Sequence, residues 1–243
     1  MIRFFRLLDP GSLSTLWRMI CFIAVSIRAA SLLDRPMERI WGAKLIRTFS
    51  GYLESARPRR GVRAKLGFME LQGKKIAVLV DHQYQELEVW YPYYRLKEAG
   101  AEVVLVGPKA GESYPSKLGY PAKAELSYAD AKATDFDGVV IPGGYAPDHM
   151  RRYPEPARFV ADLNAKGKLV ASICHGGWLL CSARGMLKGR QVTSFFAIQD
   201  DLKNAGAEWR DAEVVVDGNL VTSRKPDDLP AFCRASITVL TGK

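Results

Sequence analysis

The chain has 243 residues, of which 48% are hydrophobic and 25% are charged. These values are typical of a globular protein and exclude a wholly disordered, collagenous or coiled-coil chain. The formal net charge of +9 lies entirely in residues 1–68, which carry thirteen Lys and Arg against four Asp and Glu. Since the remaining residues are neutral overall, the high charge indicates no nucleic-acid partner for them.

The change in composition predicts two domains: a basic, Arg-rich extension over 1–68 and an α/β domain over 69–243. The longest apolar run of the extension, 19–27, is shorter than the roughly 20 residues of a membrane-spanning helix. Three interpretations stay open: a disordered or misassigned start with Met69 as the true first residue, a targeting or membrane-associated segment, and a structural extension. Membrane contact is expected only if the extension is present in the mature protein.

The second domain alternates between strand-like and helix-like segments. Short apolar, β-branched runs predict buried strands at 75–80, 102–106, 138–141 and 168–173. Apolar residues at helical spacing predict helices at 86–99, 155–166, 175–184 and 227–241, the last of them capped by Asp227 or Asp228. Between these elements, 111–131 predicts a small hairpin or an irregular excursion. Asp217-Gly218 predicts the tight turn of a hairpin over 213–222.

This alternation predicts a mostly parallel sheet with helices on both faces. Active sites of such sheets lie at the carboxyl ends of the strands, here the loops 81–88, 142–149 and 174–177. Cys174 falls between a buried strand and a helix, within the run Ala-Ser-Ile-Cys-His-Gly-Gly. The pattern is typical of a nucleophile elbow, in which a strained residue at the strand end meets a helix N-terminus that favours a thiolate. The alternative is a small buried core cysteine.

Two further groups follow neighbouring strands. Gly143 and Gly144 let the backbone approach a substrate closely, and we expect the N–H groups of Gly144 and His175 to bind an oxyanion. Glu88 is expected to point into the cleft beside Cys174, whereas Glu86 is expected to be a solvated acid in the first helical turn.

The histidines and cysteines restrict the chemistry further. His175 is placed to act as a base for the neighbouring thiol. A metal site built from Cys174, His82 and His149 is the alternative, and we predict no metal and no cofactor. Cys174 and Cys181 are too far apart along one helix for a disulfide, so we expect free thiols, a reducing compartment and a cytoplasmic location.

Residues 74–243 resemble the PfpI-type intracellular proteases, whose superfamily includes deglycases and, more distantly, class I glutamine amidotransferases. The matching blocks lie in order along the chain, at 91–100, 141–148, 171–176, 200–206, 213–217 and 222–229. The resemblance implies a flavodoxin-like α/β sandwich that assembles as a homodimer or a higher homo-oligomer. It implies Cys174 as nucleophile, His175 as its partner and Glu88 as an acid near the thiol. Asp148 matches the acid that a neighbouring subunit supplies to orient the histidine.

Some positions depart from the pattern of the family. Asp148 is shorter than the Glu that many members carry, and Gln85 stands where an acid is common. Gly177 and Trp178 replace a Pro-Gln pair, and Phe195 stands where some members have Tyr. Trp178 and Phe195 would make the pocket more apolar, so we expect an altered substrate preference.

The resemblance implies a cysteine-dependent hydrolase or lyase that acts on carbonyl adducts. Its activity would be deglycation of methylglyoxal- or glyoxal-modified amines, a glyoxalase-type reaction or peptidase action. The corresponding substrates are a glycated amine, a small carbonyl compound and a peptide. The alternative is a redox-sensing stress protein or chaperone that uses the same cysteine. A glutamine amidotransferase subunit is disfavoured, because class I enzymes use a histidine far downstream of the nucleophile and none follows His175.

Overall fold

The computed structural model describes residues 69–242. The predictions for 1–68, among them the targeting and membrane-associated interpretations, lie outside the described residues and stay predictions. In the described part of the chain, no helix is long and apolar enough to cross a membrane.

Short strands make up the sheet layers of the domain. They are β1 (Lys75–Leu79), β2 (Glu102–Gly107), β3 (Ser113–Pro115), β4 (Pro121–Lys123), β5 (Leu126–Ser127), β6 (Gly138–Ile141), β7 (Leu169–Ile173), β8 (Gln191–Val192), β9 (Glu208–Trp209), β10 (Val214–Asp217) and β11 (Leu220–Ser223). Seven of the described strands form the central sheet in the order β10-β11-β7-β6-β1-β2-β5. All neighbours in it are parallel except β10 and β11, so the predicted mostly parallel sheet is confirmed.

Helices cover both faces of this sheet. They are α1 (Glu86–Glu98), α2 (Ala146–Met150), α3 (Pro154–Ala165), α4 (Gly177–Ser182), α5 (Gln199–Asn204) and α6 (Leu229–Thr241). α1 and α6 pack together against the sheet, while α3 and α4 pack against each other, with α3 on β6 and β7. The flavodoxin-like sandwich is thus present.

The central strands are apolar on both sides because helices cover both faces. Ile76, Val78 and Val140 are each at most 1% exposed, and burying such a side chain contributes about 1.5–3 kcal/mol. A charged residue at Val78 would face this core without a partner and would unfold it.

The helices next to the predicted site begin differently from the prediction. The segment predicted as one helix over 175–184 is a 3₁₀ turn, Cys174–Gly176, followed by the short α4. Likewise, a 3₁₀ turn, Pro226–Asp228, precedes α6. Asp228 lies at the N-cap position of α6 but makes no side-chain cap. Its carboxylate instead accepts a hydrogen bond from Arg224 Nε at 2.9 Å.

Of two predicted connections, one differs in its turn residues and the other is as predicted. In the β10–β11 hairpin, Asp217 pairs with Leu220, so the turn residues are Gly218 and Asn219 rather than Asp217 and Gly218. The segment 111–131 contains the β3–β4 hairpin and the edge strand β5. The hairpin alternative predicted for this segment is therefore confirmed, and the pairing of β5 with β2 adds to it.

The register of the sheet brings three strand ends to one edge. Ile141, the last residue of β6, lies opposite Ser172 of β7. Ser223, the last residue of β11, lies opposite Ile173 of β7. The loops that follow these strands therefore begin side by side, and this places the residues after β6, β7 and β11 around one cleft.

Candidate active site

Cys174 occupies the sharp turn at the end of β7. Its φ of 60° lies in the left-handed region, and among the described residues only one other non-glycine residue has a positive φ. Backbone strain of this kind costs about 1–3 kcal/mol and is concentrated at functional sites. Ile173 is still extended and Gly177 is already helical, so the side chain lies at the strand end with 8% residual exposure. The strained turn predicted from the sequence is present.

The Gly143-Gly144 turn after β6 lies directly against this residue. A Cβ at Gly143 would lie 2.7 Å from Cys174 Cβ and 2.8 Å from Glu88 Oε2. Gly144 has a φ of 71°, and a Cβ there would lie 2.5 Å from the carbonyl oxygen of Gln83. Only glycine fits either position, which explains how the backbone approaches the thiol so closely.

Glu88 reaches the thiol from the first turn of α1. Gln85 caps this helix, because its Oε1 accepts a hydrogen bond from Leu87 N at 2.6 Å. Glu88 is fully buried, and its Oε2 accepts a hydrogen bond from Gly143 N at 2.7 Å. Burial raises its pKa to about 7, against the lowering effects of the Gly143 N–H and of Cys174.

The second oxygen of Glu88 faces no ordinary partner. Oε1 is buried and has no hydrogen-bond partner of normal geometry among the described residues, although Cys174 is near enough to lower the pKa of Glu88. Protonation of Glu88 would give this oxygen a partner, since its O–H could donate a hydrogen bond to the sulfur of Cys174.

The thiol of Cys174 is less acidic in the free site than the elbow motif predicts. Burial, followed by the charge of Glu88, raises its pKa to about 12, whereas the nearby N–H groups of His175 and Gly144 lower it. The sequence predicted that a helix N-terminus would lower the pKa of this thiol. In the structure only a 3₁₀ turn starts here, and desolvation of the sulfur has the larger effect on the pKa. Ionisation at neutral pH therefore requires that another group accept the proton.

His175 is the group nearest to that role. Its Nδ1 lies 3.3 Å from Cys174 Sγ. Burial lowers its pKa, so the ring is neutral at pH 7 and one nitrogen is free to accept a proton. Phe195 stacks on the ring with centroids 4.9 Å apart, and Trp178 contacts it edge-on at 5.0 Å.

Asp148 is not brought to His175 within the chain. It lies on α2, where its carboxylate pairs with Arg152 Nη2 at 2.5 Å. Its expected role in orienting the histidine depends on a neighbouring subunit and stays a prediction. Glu86 corrects another expectation: it is not simply solvated, because its Oε1 accepts a hydrogen bond from Leu118 N at 2.8 Å and also binds the Ser116 hydroxyl.

The other two histidines pair with each other instead of with the thiol. His82 and His149 have ring centroids 5.8 Å apart, and His82 also contacts Tyr114. In residues 69–242, no group of three or more His, Cys, Asp or Glu is arranged to hold a metal ion. Cys174, Cys181 and Cys233 are free thiols, as predicted.

These groups open onto a cleft of about 550 Å³, a volume that suits a small molecule. Glu88, Gly144, Cys174, His175, Trp178 and Phe195 line the cleft, as the sequence predicts. Three of the other lining residues lie in the predicted loops 81–88 and 142–149: Gln83, Gln85 and Tyr145. The sequence did not predict the remaining three, which are Lys117, Lys225 and Pro226. Lys117 and Lys225 had no motif to mark them, because the sheet register and the β3–β4 hairpin bring them here.

Comparison with known proteins relates the chain to one family. The model of the DJ-1/PfpI family matches residues 74–239. A Pyrococcus furiosus protein, Deglycase PfpI, is 43% identical over 68% of this chain and 99% of its own length. YraA of Bacillus subtilis, named provisionally as a cysteine protease, is 43% identical over 69% of this chain and 98% of its own length. The crystal structure of Drosophila melanogaster DJ-1beta covers 70% of this chain and 91% of its own, with 29% identity and a TM-score of 0.65.

Proposed function

Since the chain belongs to the DJ-1/PfpI family, we propose that it is a cysteine-dependent hydrolase or lyase acting on carbonyl adducts of amines. The observation that carries the proposal is Cys174, held in a strained conformation with His175 Nδ1 at 3.3 Å from its sulfur. The name of the Pyrococcus relative makes deglycation the first activity to test. The name of the Bacillus relative supports peptidase action as the second.

The shared step is addition of the thiol to a carbonyl. The S–C bond forms as the thiol proton moves to Nδ1 of His175 and the C=O electron pair moves onto oxygen. The backbone N–H groups of Gly144 and His175 face the sulfur and would stabilise the developing oxyanion. In a peptide, the intermediate collapses by cleavage of its C–N bond: the nitrogen keeps the electron pair and takes the proton from His175, and water then hydrolyses the thioester to a carboxylic acid and the free thiol. In a methylglyoxal hemiaminal, the C–N bond breaks as the hydroxyl on the same carbon loses its proton and becomes the aldehyde C=O to which the thiol adds. Transfer of a proton from that carbon to the ketone carbon through an enediol then gives a lactoyl thioester, which water hydrolyses to lactate and the free thiol.

Glu88 would assist by holding a proton of its own. With its pKa near 7, a large share of the carboxyl is protonated at neutral pH. A protonated Glu88 adds no negative charge beside the sulfur, whereas an ionised one opposes thiolate formation. We therefore assign it as a positioning and charge-controlling group and not as the base.

The proposal also includes self-assembly. Asp148 is half-buried on α2 and pairs within the chain only with Arg152 among the described residues. In a homodimer or a higher homo-oligomer, the carboxylate of a second copy would complete the arrangement by orienting His175. Sedimentation of wild type and of Asp148→Asn, each paired with turnover, tests this part.

The function is tested by offering three substrates to the full chain side by side. They are methylglyoxal, a methylglyoxal-modified amino acid and an unmodified fluorogenic peptide, followed by lactate, free amine and fluorophore respectively. We expect amine release, lost in Cys174→Ala. Turnover that persists in the variant, or turnover of none of the three, would overturn the proposal. The redox-sensor alternative stays a prediction.

A further inference from the structure

Two lysines on the rim of the cleft have no role in the chemistry proposed above. Lys117 and Lys225 line the cleft, and both are exposed. Glu88 is the one carboxyl group in the lining formed by the described residues, and it is fully buried. The two lysines are therefore the exposed charged groups among the lining residues, and a positive charge at the rim favours anions.

Lys117 is held in place by the loop that carries it. Its backbone N–H donates to Tyr84 O at 3.0 Å. The residues on either side, Ser116 and Leu118, both bind the carboxylate of Glu86 at the start of α1. In the described part of the chain, Lys117 takes part in none of the ion pairs. Its charge acts on the pKa values of Glu86 and Glu88, but it lies outside ion-pair distance of both, so its ammonium group is available to a ligand.

Lys225 reaches the cleft through the sheet register. It follows β11, whose last residue lies opposite Ile173, so it emerges beside Cys174. Its ammonium lies 3.0 Å from the carboxylate of Asp227, whose side chain is 80% exposed. So exposed a pair is weak, and a ligand anion can compete for the lysine.

The remaining wall of the cleft is aromatic. Tyr145, Trp178 and Phe195 contribute to the lining, and the rings of Tyr145 and Trp178 meet edge to face at 6.5 Å. No arginine is among the lining residues, so the described cleft lacks a guanidinium group that could bind a phosphate through two parallel hydrogen bonds. Ammonium groups above an apolar wall fit a small molecule with an apolar body and a single negative charge.

We propose that Lys117 and Lys225 make this site selective for substrates that carry a carboxylate. The adducts it accepts would then be those of free amino acids or peptide carboxyl ends, in preference to adducts of neutral amines. The nature of the reaction rests on the proposed function, whereas the charge preference rests on the cleft alone.

The charge preference is tested first without turnover, by alkylation of Cys174 in the full chain. Iodoacetate and iodoacetamide differ by one negative charge, and peptide mass spectrometry follows Cys174 separately from the other thiols. The variants are Lys117→Gln, Lys225→Gln and the double variant. Lys132→Gln is the matched control, because it removes an exposed lysine that lines a different pocket.

We expect the ratio of iodoacetate to iodoacetamide rates to fall about threefold in each single variant and about tenfold in the double variant. The ratio should also fall in wild type when salt is raised to about 0.5 M, since rim charges are screened. Lys132→Gln should leave the ratio unchanged. An unchanged ratio in the double variant, or an equal fall in Lys132→Gln, overturns the proposal.

A second readout separates this proposal from the proposed function. The methylglyoxal adducts of Nα-acetyllysine and Nα-acetyllysinamide, each modified on the side-chain amine, differ only in the carboxylate. A preference for the first in kcat/KM, carried by KM and reduced in the double variant, supports both proposals. Turnover of neither compound together with a lysine-dependent alkylation ratio refutes the proposed function and supports the carboxylate preference. Equal kcat/KM for both compounds refutes the preference and leaves the function standing.

Discussion

Replacing Glu88 by Gln should remove a pH dependence of stability that the buried carboxyl creates. The pKa of Glu88 rises from 4.5 to about 7 on folding, mainly through burial. Between these values the folded protein holds a proton that the unfolded chain has lost, so this group makes stability fall as pH rises. A shift of this size corresponds to about 3 kcal/mol lost between pH 4.5 and pH 8.

The assay is urea unfolding of wild type and Glu88→Gln at several pH values. The measured quantity is the difference between the free energies of unfolding of wild type and variant, in which the contributions of the other titrating groups cancel. This difference should decrease by about 3 kcal/mol from pH 4.5 to pH 8. Glu86→Gln is the control of opposite sign, because hydrogen bonds to Ser116 and Leu118 outweigh desolvation and lower the pKa of Glu86. A wild-type minus Glu88→Gln difference that stays constant with pH would refute the reasoning.

Two further predictions concern the packing around the thiol. Gly143→Ala should lower the free energy of unfolding by about 1–3 kcal/mol and greatly reduce turnover, because the new methyl would overpack the site at 2.7 Å from Cys174 Cβ; urea unfolding and steady-state kinetics check this. Phe195→Ala should raise the pKa of His175 toward 6.5 by admitting water to a ring whose pKa burial lowers. NMR titration of the imidazole measures it. Phe196→Ala, at a site 67% exposed, should leave that pKa unchanged, and a shift of equal size there would contradict the explanation.

Much of the fold follows from local patterns in the sequence. The apolar runs that became β1, β6 and β7 are buried on both faces, which is why they read as strands without alternation. Gly100 and Gly167 follow helices with φ values of 98° and 65°, as their positions after helical segments predict. The strained turn at Cys174 was also predictable, because a buried strand, a Cys-His pair and glycines leave little room for another geometry.

The parts that were not predictable depend on contacts between distant segments. Lys117 and Lys225 are more than a hundred residues apart in the chain, and only the sheet register and the loop bound to Glu86 place both at one cleft. The raised pKa of Cys174 likewise depends on burial by other segments and on Glu88. The elbow pattern contains no information about desolvation, which raises the pKa of Cys174, so this opposing effect could not be predicted from the motif.

The central claim is that Cys174 performs the chemistry of this site. The most direct test compares amine release from a methylglyoxal-modified amino acid by wild type, Cys174→Ala and Cys233→Ala. Cys233 is the matched control, since it is also a buried free thiol but lies in α6, outside the cleft lining. We predict that Cys233→Ala retains turnover if it remains folded by circular dichroism, and that folded Cys174→Ala has none. Turnover by Cys174→Ala at the wild-type rate would contradict the account.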